Sequence, residues 1–471
     1  MIESGINIMK RFLVYTILGI VLSQNVTSQT LAPFRSGDRV AWVGNSITDG
    51  GHYHSYVWLY YMTRLPDMPV WMMNCGIGGD TSAEILGRLQ GDVLDRKPTV
   101  VMLTYGMNDA GLFELYGDSA QAFSDRRVLS AKQNVEKMAE VLHQQQGTRV
   151  VMVGTSPYDA TSKINDNIFP YKAQNIRRMI DDERCVAESN GWEFFDFEKP
   201  MTALNTLRQQ SDTAFTVCGH DRIHPDNDGH MFMAYLVLKA QGFAGRKVAD
   251  VNIDARKKRV VGTEHCSVSN LVADKGSVAF DYLAESLPYP LDTIARGGME
   301  FNRPQSRIVD LVPDFMQEMN AEMLTVRNLE KGNYTLQIDE NTIDTLSSET
   351  LSAGVNLALY SNTPQMRQAH AVMMLNEDRW DMERRLRDWA WVEFDFFHKN
   401  GFYDVNSREA EQFYEKEKQS NWWVASRRDI YAKTGKKEVR DACQKYMQSI
   451  VDSIYRINKP VNHRIVLTKI S

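Results

Sequence analysis

The chain has 471 residues, 43% of them hydrophobic and 24% charged, with 54 basic against 60 acidic side chains and a formal net charge of −6. Such a composition excludes global disorder and is long enough for two or three packed units. The slightly acidic balance gives no ground for a nucleic-acid partner.

The first segment reads as a secretory signal over 1–28. Lys10 and Arg11 supply a positive start, Phe12–Leu22 is an apolar run too short to span a bilayer, and Val26-Thr27-Ser28 resembles a small-residue cleavage site before Gln29. The expectation is a secreted or periplasmic protein with no stable membrane insertion once the signal is removed. No later stretch is long and apolar enough to span a membrane. The five cysteines, at 75, 185, 218, 266 and 443, form no C-x-x-C pair and are expected chiefly as small apolar core residues, with one bridge left open.

From 37 to 248 short apolar runs alternate with amphipathic stretches. Strands are expected at Arg39–Gly44, Val70–Asn74, Thr99–Tyr105, Arg149–Gly154 and Glu193–Phe197, and helices near 55–65, 82–91, 128–146 and 170–190. Continuous β-rich runs separated by helical patterns predict a parallel sheet covered on both faces. Ligands of such sheets bind beyond the carboxyl ends of the strands.

Four motifs fall at that edge. Val43-Gly44-Asn45-Ser46-Ile47-Thr48 places a serine hydroxyl where a strand turns into a helix. Asn74-Cys75-Gly76-Ile77-Gly78-Gly79-Asp80-Thr81-Ser82 follows the second strand, and its glycines let the backbone turn tightly and present N–H groups outward. Gly106-Met107-Asn108-Asp109 follows the third; its asparagine amide is a neutral donor suited to an oxyanion, and Asp109 is placed to hold the loop by local hydrogen bonds. In Asp221-Arg222-Ile223-His224 a carboxylate three residues before a histidine can orient the ring through one nitrogen while the other faces the serine. Singly each motif is as compatible with a turn, a helix cap or, for the last, metal ligation. Together they occur in one order at one sheet edge.

In that order the sequence resembles the SGNH (GDSL-like) hydrolase superfamily, whose blocks read G-D-S, a glycine in a G-D-T-like loop, G-x-N-D and D-x-x-H. Asn45 stands where the family usually has aspartate. The resemblance implies a flavodoxin-like three-layer α/β/α domain and a serine-esterase mechanism without metal or other cofactor. Ser46 would be the nucleophile, His224 its base and Asp221 the orienter of the ring. The oxyanion donors would be the N–H of Ser46, the N–H of Gly79 (with Gly78 as the alternative) and the Asn108 amide. The family includes lipases, lysophospholipases, thioesterases and carbohydrate acetylesterases. Secretion and the polar, aromatic run His52-Tyr53-His54 after the nucleophile favour an acylated carbohydrate as substrate, those three residues being expected as contacts. The rivals are a lysophospholipase or acyltransferase using the same triad, and a glycan-binding protein that keeps the fold without the activity.

Residues 249–471 change character. Strand-like pieces at Met323–Val326 and Tyr334–Ile338 predict a β-rich unit. A helical segment from Pro364 to about Lys399 ends in a run of aromatics, another helix is expected over Lys436–Ile457, and Arg464–Thr468 forms a last strand. The aromatic run is expected as core packing rather than as a sugar platform. Without a Pro/Gly/Ser-rich linker, the extension is expected to pack on the catalytic unit, with the small and polar loop Gly354–Ala358 approaching the catalytic edge.

Overall fold

The computed structural model describes residues 29–296 and 302–470, so the expected signal segment lies outside the described residues. Strands β1 (Arg39–Gly44), β2 (Trp71–Gly76), β3 (Val100–Leu103), β4 (Arg149–Gly154) and β5 (Glu193–Asp196) pair in parallel in the order β2-β1-β3-β4-β5. β1 is buried along all but its first residue and β3 along its whole length. Unbroken burial of this kind follows when helices cover both faces of a sheet. The chain steps from β1 outward to β2, then returns past β1 to β3 and onward. Right-handed crossovers therefore put the connecting helices on opposite faces. Helix α2 (Tyr53–Arg64) packs on α7 (Asn227–Ala240), and α4 (Ala120–His143) on α5 (Lys172–Asn190). The short α1 (Ser46–Asp49), α3 (Ser82–Arg88) and α6 (Glu198–Gln209) complete the unit, the three-layer α/β/α arrangement that the resemblance implies.

Two helices are buried almost throughout, although α2 was still expected near 55–65. All twelve residues of α2 are buried, and so is nearly every residue of α7, so neither has a solvent face to set an amphipathic period. α6 and α7 were not among the expected helices, and α4 starts at Ala120 rather than near 128.

The rest of the chain is a β-sandwich with a helical insert. Strands β6 (Ala249–Asp254), β7 (Arg259–Glu264), β8 (Cys266–Asp274), β9 (Ser277–Ala284), β10 (Glu322–Arg327), β11 (Asn333–Ile338), β12 (Asn341–Ser347), β13 (Val355–Asn356) and β14 (His463–Ile470) form two sheets, β13-β10-β6-β7 and β12-β11-β14-β9-β8. They enclose a core of their own that includes Phe280, Tyr282, Leu324, Leu336 and Ile465. Between β13 and β14 the chain forms α8 (Pro364–Ala390), α9 (Arg408–Glu417), α10 (Trp422–Ser426), α11 (Arg428–Thr434) and α12 (Lys437–Ile457). The Thr363 hydroxyl accepts from Met366 N and so caps α8, with Pro364 in its first turn.

Met366, Ala369, Val372 and Met373 of α8 and Ile450, Val451 and Ile454 of α12 share one continuous core with the parallel sheet. Trp389, Phe396 and Phe397 are buried with Tyr414 and Val424 in a third, smaller core. The aromatic run is thus packing, as expected. The loop Gly354–Ala358 does not approach the catalytic edge. Val355 and Asn356 pair with β10, and the Asn356 side chain is used up inside the sandwich, accepting from Glu322 N and donating to Asn320 O. All five cysteines are free; Cys75 and Cys218 are buried and Cys185 is exposed. No helix of the described residues is long and apolar enough to cross a membrane.

Candidate active site

The position of β1 between β2 and β3 organises the site. Because the chain leaves β1 on one side toward β2 and on the other toward β3, the crevice of the sheet opens at the carboxyl end of β1. Ser46 sits there as the first residue of α1, with the Asn45 side chain capping the turn by accepting from Ile47 N at 3.1 Å. The loop after β2 carries Gly78 and Gly79 on one flank, and the loop after β3 carries Asn108 on the other.

The Ser46 hydroxyl lies 2.7 Å from His224 Nε2, and His224 Nδ1 lies 2.5 Å from Asp221 Oδ2. Asp221 Oδ1 also accepts from the backbone N–H groups of Ile223 and His224, each at 2.9 Å. Burial works to raise the Asp221 carboxyl, yet the hydrogen bonds and charge of His224 hold it below the usual carboxylate range. It is therefore an acceptor at neutral pH, and Nδ1 must be the protonated nitrogen facing it, which leaves Nε2 as acceptor toward Ser46.

The loop that delivers this pair is shaped at two positions. Gly219 has φ +70°, and a Cβ there would stand 2.2 Å from His224 O, so no other residue fits. Arg222 is left-handed at φ +67°, a conformation costing about 1 kcal/mol for an L-residue. Its buried guanidinium offsets that by donating to the carbonyls of Asp159 at 2.9 Å, Ser162 at 2.7 Å and Asn165.

The two candidate glycines, Gly78 and Gly79, differ in what their N–H groups meet. Gly78 N donates to Asp49 Oδ2 at 3.2 Å. Gly79, at φ +95°, has an N–H engaged by none of the hydrogen bonds among the described residues, and nothing stands within 4 Å of where a Cβ would be. The free donor is Gly79. The Asn108 amide donates one hydrogen to Asp80 O at 2.9 Å, and its second N–H remains for a ligand.

Asn108 stands on a loop whose carbonyls are satisfied one after another by side chains. Lys172 Nζ donates to Met107 O at 2.5 Å and Gly111 O at 2.8 Å, Arg127 donates to Asn108 O and Asp109 O, each at 3.0 Å, and Asn175 Nδ2 donates to Ala110 O at 3.1 Å. The Asp109 carboxylate accepts from Gly106 N, as its place in the motif suggests, and also from the backbone and hydroxyl of Ser82. It so ties the Asn108 loop to the start of α3. Burial pushes the Lys172 ammonium down to about 7. Lys172 and Arg127 belong to no motif and Arg222 is an unassigned position within Asp221–His224, so none of the three was singled out from sequence.

His52, Tyr53 and His54 lie elsewhere than expected. All three are buried: His52 stacks on Trp380 of α8 with ring centroids 3.9 Å apart, Tyr53 bonds to the Thr48 hydroxyl at 2.9 Å, and His54 Nε2 is 3.1 Å from Thr48 O. Burial pushes the His54 imidazolium down to about 4. Their polar atoms serve the packing of α2 beneath the Ser46 turn and against α8, not a cleft wall.

Behind the site lies a buried ionic cluster. The Asp92 carboxylate receives Arg88 Nη1 at 2.5 Å, Arg96 Nη2 at 2.6 Å and both terminal nitrogens of Arg387 at 2.7 Å. Arg88 continues to Gly44 O at 3.0 Å and to Asp80 at 2.6 Å, and Arg387, from α8, to Gly76 O at 3.0 Å. The strand ends that carry Ser46 and the glycine loop are thereby held from below.

A serine hydroxyl bonded to a histidine, and that histidine bonded to a carboxylate, thus stand at the sheet edge beside the Gly79 N–H and the Asn108 amide. The GDSL-like Lipase/Acylhydrolase family model matches residues 42–232, and the chain belongs to this SGNH hydrolase family and is an ester hydrolase. A second model, the Diltiazem deacetylase C-terminal helical domain, matches residues 370–459, which fall in the helical insert. The solved structure of BT4096, a gut microbial diltiazem-metabolizing enzyme, is 49% identical and covers 94% of this chain and 100% of its own, with a TM-score of 0.91. The acetylxylan esterase of Geobacillus stearothermophilus is 23% identical over 227 residues, which are 44% of this chain and 95% of the esterase.

Proposed function

We propose that the protein is a serine esterase that removes acetyl groups from an acylated carbohydrate outside the cytoplasm, with Ser46, His224 and Asp221 as its triad. The observation that carries the reading is the continuous relay from Ser46 Oγ through the imidazole to Asp221 at 2.7 and 2.5 Å. His224 Nε2 takes the Ser46 proton as the hydroxyl attacks the ester carbonyl. Asp221 keeps the ring in the productive tautomer and stabilises the imidazolium that forms. The tetrahedral oxyanion is received by the N–H groups of Ser46 and Gly79 and by the Asn108 amide. His224 returns the proton to the leaving alcohol, and water, activated by the same imidazole, releases acetate. The acetyl preference draws on one relative, an acetylxylan esterase, and on the match of residues 370–459 to the Diltiazem deacetylase C-terminal helical domain. Location outside the cytoplasm rests on Lys10, Arg11 and the apolar run Phe12–Leu22.

A second reading of the leaving alcohol, a small aromatic-bearing molecule, is favoured by the 49% identity to the diltiazem-metabolizing enzyme across nearly the whole chain. Acetate release from a panel of acetylated plant and host glycans, run beside aryl acetates, butyrates and octanoates, separates the readings. The carbohydrate reading expects acetylated glycans to be the better substrates, with activity confined to acetate and propionate. Turnover of aryl acetates alone favours the second reading, and preference for octanoate overturns the acetyl assignment.

Asn108→Ala is expected to lower kcat by roughly 10²–10³ with a smaller change in KM, because the lost bond forms mainly in the transition state. Steady-state kinetics on an aryl acetate check this; an unchanged kcat makes Asn108 only a brace for Asp80 O.

A further inference from the structure

We infer that Arg384 and Asp49 are a positioning pair through which the helical insert aims the oxyanion-binding glycine loop. The inference rests on the roles assigned above to Ser46 and Gly79.

Asp49 closes α1, three residues after Ser46, and its carboxylate faces two ways. Oδ2 accepts from Gly78 N at 3.2 Å, and Oδ1 is held by Arg384 Nη1. The same guanidinium nitrogen donates to Asp49 O at 2.7 Å, a carbonyl that also accepts from Asn74 Nδ2 at 2.8 Å. Arg384 thus grips both the side chain and the backbone at the end of the nucleophile turn, from a helix 335 residues farther along the chain. Its own direction is set by Trp380, whose ring centroid lies 5.7 Å from the guanidinium, and by Asp388 at 3.5 Å.

The glycine loop needs such an anchor. Gly78 and Gly79 are adjacent and carry no side chains to pack, so local torsional freedom is large. The loop is pinned at its far end, where Asp80 O accepts from Asn108 and Asp80 N donates to Ile77 O at 3.3 Å. Asp49 pins the near end through Gly78 N. A Cβ built on Gly78 would stand 3.9 Å from Ser46 Cβ and 3.4 Å from Asp49 Oδ2, which places this peptide directly beside the nucleophile. Without the Asp49 acceptor the Gly78 torsions are released, and they set the direction of the Gly79 N–H.

The pair is not what holds the insert on the sheet. Glu383 accepts from Asn74 N at 2.9 Å, Arg387 binds Gly76 O and Asp92, Asn376 Nδ2 bonds to Ser55 Oγ at 2.9 Å, Asn458 Nδ2 bonds to Met62 O at 2.8 Å, and Lys459 Nζ binds Pro66 O and Asp67 at 2.6 Å each. Arg384 and Asp49 are partly exposed, at 25% and 16% of their side chains. Removing one of them perturbs the loop while the buried contacts keep α8 in place.

The test compares the full chain with Arg384→Ala, Arg384→Lys, Asp49→Asn and Lys459→Ala. Arg384→Ala and Asp49→Asn are expected to lower kcat on an aryl acetate about tenfold, short of the roughly 10²–10³ for loss of a whole oxyanion donor. KM should stay within about twofold, and the rate of Ser46 labelling by a fluorophosphonate, whose phosphonyl oxygen enters the same hole, should fall in parallel. Arg384→Lys should recover part of the loss, and Lys459→Ala, which cuts an interdomain contact remote from the loop, should keep wild-type kcat. If Arg384→Ala does not fold, the isosteric Asp49→Asn carries the test. Unchanged kcat in both variants overturns the inference. So does an equal loss in Lys459→Ala, which would make the effect one of interdomain adhesion. Ser46→Ala, measured alongside, separates the two levels: full activity in that variant would overturn the triad itself, whatever Arg384 does.

Discussion

Ser46→Ala is expected to lower kcat for acetate esters by roughly 10⁴–10⁶ while leaving the fold intact. The size of the effect follows from how the site acts as a unit. The hydroxyl stands 2.7 Å from the oriented imidazole. Once it is gone, His224 has no proton to take and no acyl-enzyme can form. The donors that remain still bind the carbonyl, which is why some catalysis over water survives. Stability should hold, since the substitution removes one hydrogen bond at a partly exposed position. His224→Ala should act as severely. Initial rates with an aryl acetate, paired with fluorophosphonate labelling and mass mapping of the adduct, check both. Wild-type turnover in Ser46→Ala, or an adduct on another serine, would refute the assignment.

Asp92→Ala should be the most damaging single change to stability. One carboxylate, itself fully buried, receives four donors from Arg88, Arg96 and Arg387. Breaking a buried ion pair by deleting one partner typically costs about 3–5 kcal/mol, because the other charge is left in the interior without compensation. Here two guanidiniums, those of Arg88 and Arg387, are almost wholly buried. Burial alone would raise the Asp92 carboxyl, but the three arginines hold it far below the usual range. A depressed folded-state pKa contributes stability that is fully present above the unfolded value, about 3.9, and is lost as pH falls below it. The wild-type protein should therefore lose stability steeply below about pH 4, and the variant, already without the contribution, should show a shallower acid slope. Denaturant titrations at neutral and acid pH measure both effects. A variant as stable as wild type would mean that water or a rearranged Asp80 compensates the arginines. Turnover should drop as well, since Arg88 and Arg387 would loosen from Gly44 O and Gly76 O.

Much of the catalytic edge was legible in the chain. Ser46 opens α1 at a strand end, and Asn108, Asp221 and His224 lie in loops; at such places chemistry depends on residue type at short spacing, and short spacing is what a linear string preserves. The five parallel strands were legible for a similar reason: each is a short apolar run bounded by turn residues. What was not legible came from long-range contact. Arg384 and Arg387 look like ordinary polar positions of a helix until α8 is laid against β2 and α1. The reading of His52, Tyr53 and His54 as substrate contacts failed on the same point. Polar and aromatic residues after a nucleophile suggest a cleft, but α2 is covered on every side, so their polar atoms turn inward to Thr48 and Glu377. α7 escaped because burial of nearly every residue blurs the amphipathic period by which helices are recognised. Arg222, a variable position within Asp-x-x-His, shows nothing of its left-handed backbone in the string.

The placement of β14 sets the order in which the molecule can be made. This strand, His463–Ile470, lies in the middle of its sheet, bonded to β11 on one side and β9 on the other. β9 emerges from the ribosome nearly two hundred residues before its partner and must wait with one edge open, as must β11. In between, the whole helical insert is synthesised and can dock on the already completed hydrolase fold, which brings the chain back beside the gap. The sandwich is then sealed from the centre outward by the last strand to appear. Pairings over such sequence distances are slow, because a long loop must close before any contact rewards it. Translation of this chain therefore exposes two adhesive strand edges for as long as the insert takes to be made, and chaperone demand should peak in that interval rather than during synthesis of the catalytic half.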